Sequence, residues 1–347
     1  MIISKTPFRI SYFGGGTDYP AWFKEHGGAV LSTTIDKYCY ISLRHLPPFF
    51  DFRHRIVYSK IELVNAAAEI QHPVVRAMLA ERGDGPPGFE IHHNGDLPAR
   101  AGLGSSSAFT VGLVNAFWAL DGRMISLQQL ANEAIRIEQD VLQETVGCQD
   151  QIAVAFGGFN RVDFHHDGTF AVRRVIMPPE KRLELEQSTM LFFSGFSRFA
   201  SEVAKKQIEN FPNRQDELGG LRYMVDEALS LLQNPRETID RFGRLLHESW
   251  KIKRSLAREV SSTEIDAIYE AGMDAGAFGG KILGAGGGGF MMFIVPPDRR
   301  QAVRERLSKL INVNVSFETG GSRIVVYEPH DFGSSQAMPL YQMAPST

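Results

Sequence analysis

Apolar residues alternate with Arg9 and Ser11 between Pro7 and Phe13, and this period of two predicts a strand. Gly14-Gly15-Gly16 breaks it. Residues 28–43, 55–58 and 89–93 read as further strands, and 73–80 as a helix. From Ala108 to Leu120 the chain is apolar almost without a break and then meets Asp121-Gly122, which predicts a buried helix with a sharp stop. Ser126 with Gln129 three residues on is a capping-box signature. Behind it Leu127, Leu130, Ala131, Ala134, Val141 and Leu142 form one apolar stripe at helical spacing. The short run 152–158 reads as strand-like or as a buried segment. The pattern changes around Pro178-Pro179. Residues 189–193 and 290–295 read as buried strands, and 198–209, 216–232, 235–260 and a segment after Ser262 as amphipathic helices. Residues 299–311 read as a last helix and 315–327 as holding a closing strand pair, before a loosely held tail.

A chain of 347 residues exceeds the length that one core usually serves, so two domains are expected, divided as 1–183 and 184–347. With 43% hydrophobic and 22% charged residues, the composition is that of a soluble globular protein. The net charge is −3 and the basic residues are scattered, which argues against nucleic-acid and membrane-surface partners. Cys39 and Cys148 are isolated and make neither a disulfide framework nor a metal spacing, in keeping with a cytoplasmic location. No secretory leader pattern opens the chain. The uncharged stretch 101–120 has the length of a bilayer span, but its three glycines, three serines and Asn115 mark it as a buried helix behind a polar loop. His92 and His93 point to opposite faces of a strand and do not share a metal.

The stretch Pro98–Ala108, PARAGLGSSSA, carries the first candidate chemistry. Gly102 and Gly104 let the backbone approach a ligand, and a glycine turn feeding a helix start presents unpaired N–H groups to an anion. On its own the same stretch also reads as a plain turn with a serine N-cap. Glu138 falls inside the apolar stripe, where a carboxylate calls for a cation or metal unless it reaches water at an edge. Asp150 follows a glycine turn a short loop later. Asp18 stands at the mouth of the first strand, where it either holds sugar hydroxyls or closes a Gly-Pro turn. The run 284–289 fits G-x-G-x-x-G, but a strand follows it where a dinucleotide site needs a helix. A P-loop fails too, since Ile282 follows Lys281 and Ala275 occupies the first glycine position. What remains is a glycine loop able to lie against a ligand.

Three separated motifs, PFRISYFGGGTDYP, PARAGLGSSSA and KILGAGGGGF, thus stand in order, with Glu138 and Asp150 between the second and third. Together they resemble the GHMP kinase superfamily, named for galactokinase, homoserine kinase, mevalonate kinase and phosphomevalonate kinase. The resemblance implies an α+β fold, with an ATP-binding N-terminal domain like the second domain of ribosomal protein S5 and a ferredoxin-like C-terminal domain. It implies that Gly102, Leu103, Gly104, Ser105, Ser106 and Ser107 wrap the phosphates of ATP. By the same resemblance Ser106 and Glu138 hold Mg²⁺, Asp150 is the catalytic aspartate and Arg9 lies next to the transferring group. Gly15, Gly16, Thr17 and Asp18 are implied on the sugar side, with Gly286 and Gly287 of the last motif against the substrate.

The first motif lacks the Gly-Glu-His of galactokinases, which argues against galactose. Its FGGGTDYP form, with SGFSR at 194–198, is similar to the D-glycero-D-manno-heptose 7-phosphate kinases. Those enzymes phosphorylate the anomeric C1 hydroxyl to give a 1,7-bisphosphate, which leads to nucleotide-activated heptose for lipopolysaccharide or capsule. The resemblance therefore implies ATP and a sugar phosphate as substrates. Arg198 is the candidate for the 7-phosphate, although a solvated surface arginine explains it equally well. The rivals are a kinase for another sugar, such as unphosphorylated heptose or fucose, a non-catalytic ligand sensor and the decarboxylase branch. Retention of Arg9, Ser106, Glu138 and Asp150 together argues against a sensor, and the GGGTD motif against a decarboxylase. Homodimer formation is left open.

Overall fold

The computed structural model describes residues 1–47, 49–83, 87–99, 101–195 and 200–329. The strands, in chain order, are β1 (Ile2–Phe13), β2 (Gly28–Leu46), β3 (His54–Val57), β4 (Ile61–Val64), β5 (Gly88–Gly95), β6 (Phe159–Phe164) and β7 (Phe170–Arg174). After them come β8 (Thr189–Phe193), β9 (Gly279–Ile282), β10 (Phe290–Ile294), β11 (Ile311–Val313), β12 (Phe317–Glu318) and β13 (Arg323–Tyr327). The helices of the first half are α1 (Pro20–His26), α2 (Pro73–Arg82), α3 (Ser105–Leu120), α4 (Leu127–Ile135) and α5 (Gln149–Phe156). Those of the second half are α6 (Pro179–Ser188), α7 (Ala200–Asn210), α8 (Gln215–Gln233), α9 (Ile239–Leu256), α10 (Thr263–Asp274) and α11 (Arg300–Arg306).

Among the described residues, nine strands form the first sheet, in the path β13-β1-β2-β5-β3-β4 with β6, β7 and β12 attached. The 19 residues of β2 organise it. One edge of β2 pairs with β1 along most of its length, and the other serves β6, then β12, then β5. The apolar run after the serines forms α3, buried on nearly all sides, which packs on β1 and β2. The second sheet has the order β11-β8-β10-β9 with every neighbour antiparallel. Numbered by position within that domain the order is 4-1-3-2, the ferredoxin-like arrangement that the motifs imply.

Four local expectations change. Residues 149–156 form helix α5, so of the two readings of 152–158 the buried segment holds and the strand does not. A run of five apolar residues carries no decisive period, and packing against α3, α4 and β1 settles it. The stripe through 142 is not one α-helix: a π-helix over Arg136–Val141 follows α4, and Val141 ends 39% exposed. The wider turn rotates the residues after it and leaves Ile137 and Glu138 as the buried pair. The last helix stops at Arg306, and Ile311 begins strand β11. Finally, the chain crosses back after β11. Strands β12 and β13 belong to the first sheet, so the division at 183 does not separate the two sheets cleanly.

The two layers are hydrogen-bonded to each other through a backbone and a side-chain contact. Phe290 N donates to Ala101 O at 3.0 Å, and Lys281 Nζ donates to Tyr12 O at 3.0 Å. This joins the strands that precede and follow the second glycine loop to the first domain, and the candidate site lies in the seam.

Candidate active site

Helix α3 begins without a capping side chain. Its N-cap is Gly104, in the left-handed conformation, and the first helical bond runs from Ala108 N to Gly104 O at 2.8 Å. The reading of a serine N-cap is thereby excluded, and the amides of the first turn precede any helical acceptor. Ser105, Ser106 and Ser107 line a cleft at the positive end of the helix dipole. Leu103 contributes backbone only: its side chain is buried in the core, and its carbonyl accepts from Arg9 N at 3.0 Å.

Arg9, on β1, is 1% exposed and lies under this loop. Its Nε and Nη2 donate to the two carboxylate oxygens of Asp150 at 2.7 Å each, and its Nη1 donates to Gly102 O at 2.6 Å. A bidentate pair of this kind fixes both side chains in orientation as well as position. The helix that sequence reading missed, α5, carries Asp150 in its first turn, where the side chain remains 26% exposed to the cleft. One residue on, Gln151 turns inward and is fully buried.

Glu138 is 1% exposed. Its Oε2 accepts from Ser107 Oγ at 3.0 Å and from Gln151 Nε2, while its Oε1 is buried without a partner among the described residues. Burial pushes its pKa up to about 7, against the opposing pull of Thr110, Gln151 and Ser107. An orphaned carboxylate oxygen beside a serine-lined cleft suits a hard cation, so the residues present fit Mg²⁺. Ser107 is the serine bonded to Glu138, whereas Ser106 stands exposed on the rim. Among the described residues no three His, Cys, Asp or Glu side chains converge as a metal-binding group.

Asp18 closes the other side of the cleft, 1% exposed. Its Oδ1 accepts from Gly16 N at 2.9 Å, and Gln149 N approaches Oδ2 at 3.4 Å. Burial raises its pKa, and the Asp150 carboxylate adds to that, while the backbone donors oppose it. A Cβ on Gly147 would lie 1.9 Å from Asp18 Oδ2, so glycine there is what admits the carboxylate. Gly15 and Gly16 line the cleft, but Thr17 does not: its hydroxyl donates to Gly14 O at 2.8 Å and to Ala29 O at 3.0 Å, holding the turn. Gly286 also lines the cleft, whereas the Gly287 amide donates to Val260 O at 2.9 Å. Arg198 lies outside the described residues.

The cleft therefore brings together Arg9, the 102–107 loop, Glu138, Asp150 and Asp18, from segments far apart in the chain. Gln149 and Lys253 are among the lining residues that escaped sequence reading. Gln149 accepts from Ser11 Oγ at 2.7 Å through its side-chain oxygen, and nothing in its own sequence marks it. Lys253 did carry a signal: it falls on the buried stripe Leu246, Ser249, Trp250, Leu256 of α9, the same pattern of a charge among apolar positions that marks Glu138.

The GHMP kinases N-terminal domain matches residues 59–158 and the GHMP kinases C-terminal domain matches residues 228–312. The chain belongs to the GHMP kinase family. This GHMP kinase is 29% identical over 322 residues to D-glycero-alpha-D-manno-heptose 7-phosphate kinase of Campylobacter jejuni, covering 89% of this chain and 93% of that protein. It is 23% identical to the bifunctional fucokinase/GDP-fucose pyrophosphorylase of Arabidopsis thaliana, over 87% of this chain and 31% of that protein. Its fold matches the crystal structure of a D-glycero-D-manno-heptose 1-phosphate kinase from Bacteroides thetaiotaomicron with a TM-score of 0.76 and 24% identity, over 93% of this chain and 98% of the other. No helix among the described residues is long and apolar enough to cross a membrane.

Proposed function

We propose that this GHMP kinase transfers the γ-phosphoryl group of ATP to the anomeric C1 hydroxyl of D-glycero-D-manno-heptose 7-phosphate, giving the 1,7-bisphosphate. The observation that carries the reading is the bidentate Arg9–Asp150 pair, set directly under the glycine-serine loop at the open N-terminus of α3. It puts a carboxylate able to meet a hydroxyl proton beside a site built for phosphate. The likeness to a heptose 7-phosphate kinase over most of both chains supports the choice of acceptor.

Phosphoryl transfer asks mainly for positioning and charge neutralisation. In this reading the amides of Ser105–Ser107 bind the phosphate oxygens. Asp150 orients the C1 hydroxyl and accepts its proton. Arg9 fixes Asp150 and adds positive charge at the point of transfer. Asp18, with its lone pairs only partly used by backbone donors, accepts from sugar hydroxyls. Ser106 and Glu138 would hold Mg²⁺, which supplies charge neutralisation on the phosphates when bound. Arg198 is retained as the proposed partner of the 7-phosphate. The product would feed nucleotide-activated heptose for lipopolysaccharide or capsule.

ADP release, measured with ATP and magnesium over a panel of sugars with and without a terminal phosphate, tests this. The expected best acceptor is the heptose 7-phosphate, with the new phosphate on C1 by phosphorus NMR. Preference for fucose or an unphosphorylated heptose would replace the acceptor and leave the kinase. Turnover of no sugar would overturn the kinase reading.

A further inference from the structure

We propose that Lys253 is a substrate-binding residue supplied by the C-terminal domain, its ammonium donating to an oxygen of the acceptor sugar opposite Asp18. The inference rests on the sugar-kinase reading above and adds a residue that none of the three motifs contains.

Lys253 lies on α9 and is 5% exposed, yet it lines the cleft together with Asp18 and Asp150. An ammonium has three donors. Among the described residues the one acceptor bonded to it is Gly284 O, and no carboxylate lies within ion-pair distance. A nearly buried cation with donors to spare and no counter-ion is unfavourable in the empty protein, and it is the state that a ligand relieves. Lys281 gives the contrast. It is equally buried, donates to Tyr12 O at 3.0 Å and does not line the cleft, so it serves the seam. Within the same cleft, Asp18 offers acceptors and Lys253 offers donors. A sugar bearing neighbouring oxygens can donate to the one and accept from the other, which neither residue achieves alone.

The charged groups around Lys253 are Asp18 and Asp150, which favour its charged form, and Arg9 with Lys281, which oppose it. Burial outweighs them and lowers its pKa to about 8. Its positive charge, and with it the charge assistance to a sugar contact, is therefore lost as pH rises through about 8.

The test is steady-state kinetics of wild type and Lys253→Met with ATP and heptose 7-phosphate. The variant keeps the packing and removes the charge. A charge-assisted hydrogen bond of ordinary strength predicts a KM for the sugar raised roughly ten- to a hundredfold. The KM for ATP should stay within about twofold, because the donors to phosphate lie on α3. In the wild type, kcat/KM for the sugar should fall above pH 8, and this limb should vanish in the variant. An unchanged sugar KM overturns the inference. So does an equal rise in the KM for ATP, the mark of a strut, since Gly284 rests on the nucleotide loop at Gly102. Should the methionine variant not fold, Lys253→Leu takes its place, and a sugar KM unchanged from wild type in that variant excludes Lys253 from binding. A wild type that turns over other sugars but shows both effects keeps the inference and changes the acceptor. A wild type active on no sugar removes the reading beneath it and this one with it.

Discussion

Two glycine loops of similar composition face each other across the seam, and they do different work. The loop at 102–107 runs into a helix and leaves its first-turn amides facing the cleft. The loop at 284–289 runs into β10 and uses its backbone for contact: Gly287 N bonds Val260 O, Gly289 O accepts from Ser194 N, and Gly284 O holds Lys253. Gly102 and Gly284 have φ of +78° and +76°. A Cβ on the first would lie 2.4 Å from Leu283 O, and a Cβ on the second 2.7 Å from the Gly102 Cα. The second loop is thus the wall that seats the first. Glycine content alone does not separate the two loops; the element that comes after each does, and the proposed nucleotide site goes with the loop that a helix follows.

If the chemistry belongs to the side of the first loop, the largest effect should come from Asp150→Asn. It keeps the shape, removes the proton acceptor, and should lower kcat by about 10²–10⁴-fold with little change in the KM for ATP. Wild-type turnover in that variant would take Asp150 out of the reaction. Glu138→Gln should come next, with magnesium-dependent activity falling and a magnesium titration that no longer raises the melting temperature.

The same substitution has a pH signature. The folded-state pKa of Glu138 is raised from 4.5 to about 7 by burial, so between those values the folded protein binds more protons than the unfolded chain. Stability therefore declines as pH rises through this window, by up to about 3 kcal/mol for this group. Denaturant melts of wild type and Glu138→Gln at pH 5 and pH 8 should show a steeper decline with pH in the wild type. Equal slopes would place Glu138 in water rather than in the core.

Gly284→Ala sharpens the contrast from the other side. The left-handed backbone and the contact with Gly102 predict a loss of about 1–3 kcal/mol in stability, seen in the melting curve. Activity at low temperature should suffer through the KM for ATP rather than through the chemical step. A kcat loss as deep as that of Asp150→Asn would show that the second loop takes part in transfer. The smallest effect is expected from Ser107→Ala, which removes one neutral donor from Glu138. A change of about 1 kcal/mol or less in stability is expected, with a small further rise in the pKa of Glu138, read by repeating the same melts.

The sequence by itself determined the family, the order of the motifs and the candidates Arg9, Glu138, Asp150 and Asp18. Glu138, Asp150 and Asp18 are legible because each is a local violation, a charge in an apolar stripe or a carboxylate beside a glycine turn, whereas Arg9 fits the alternation of its strand and is named only by the family resemblance. Local pattern also located the C-terminal ends of α3 at Leu120 and of β1 at Phe13, while both elements start earlier than the pattern showed, at Ser105 and Ile2. It did not reveal the π-turn that carries Glu138 and leaves Val141 exposed, the helical state of 149–156, the return of β12 and β13 to the first sheet, or the place of Lys253 in the cleft. Each of those depends on which segments pack together, and a short apolar run or a single lysine has no period of its own to announce it. The tertiary structure decided them, because only it fixes which buried face each residue meets and which partner, if any, waits there.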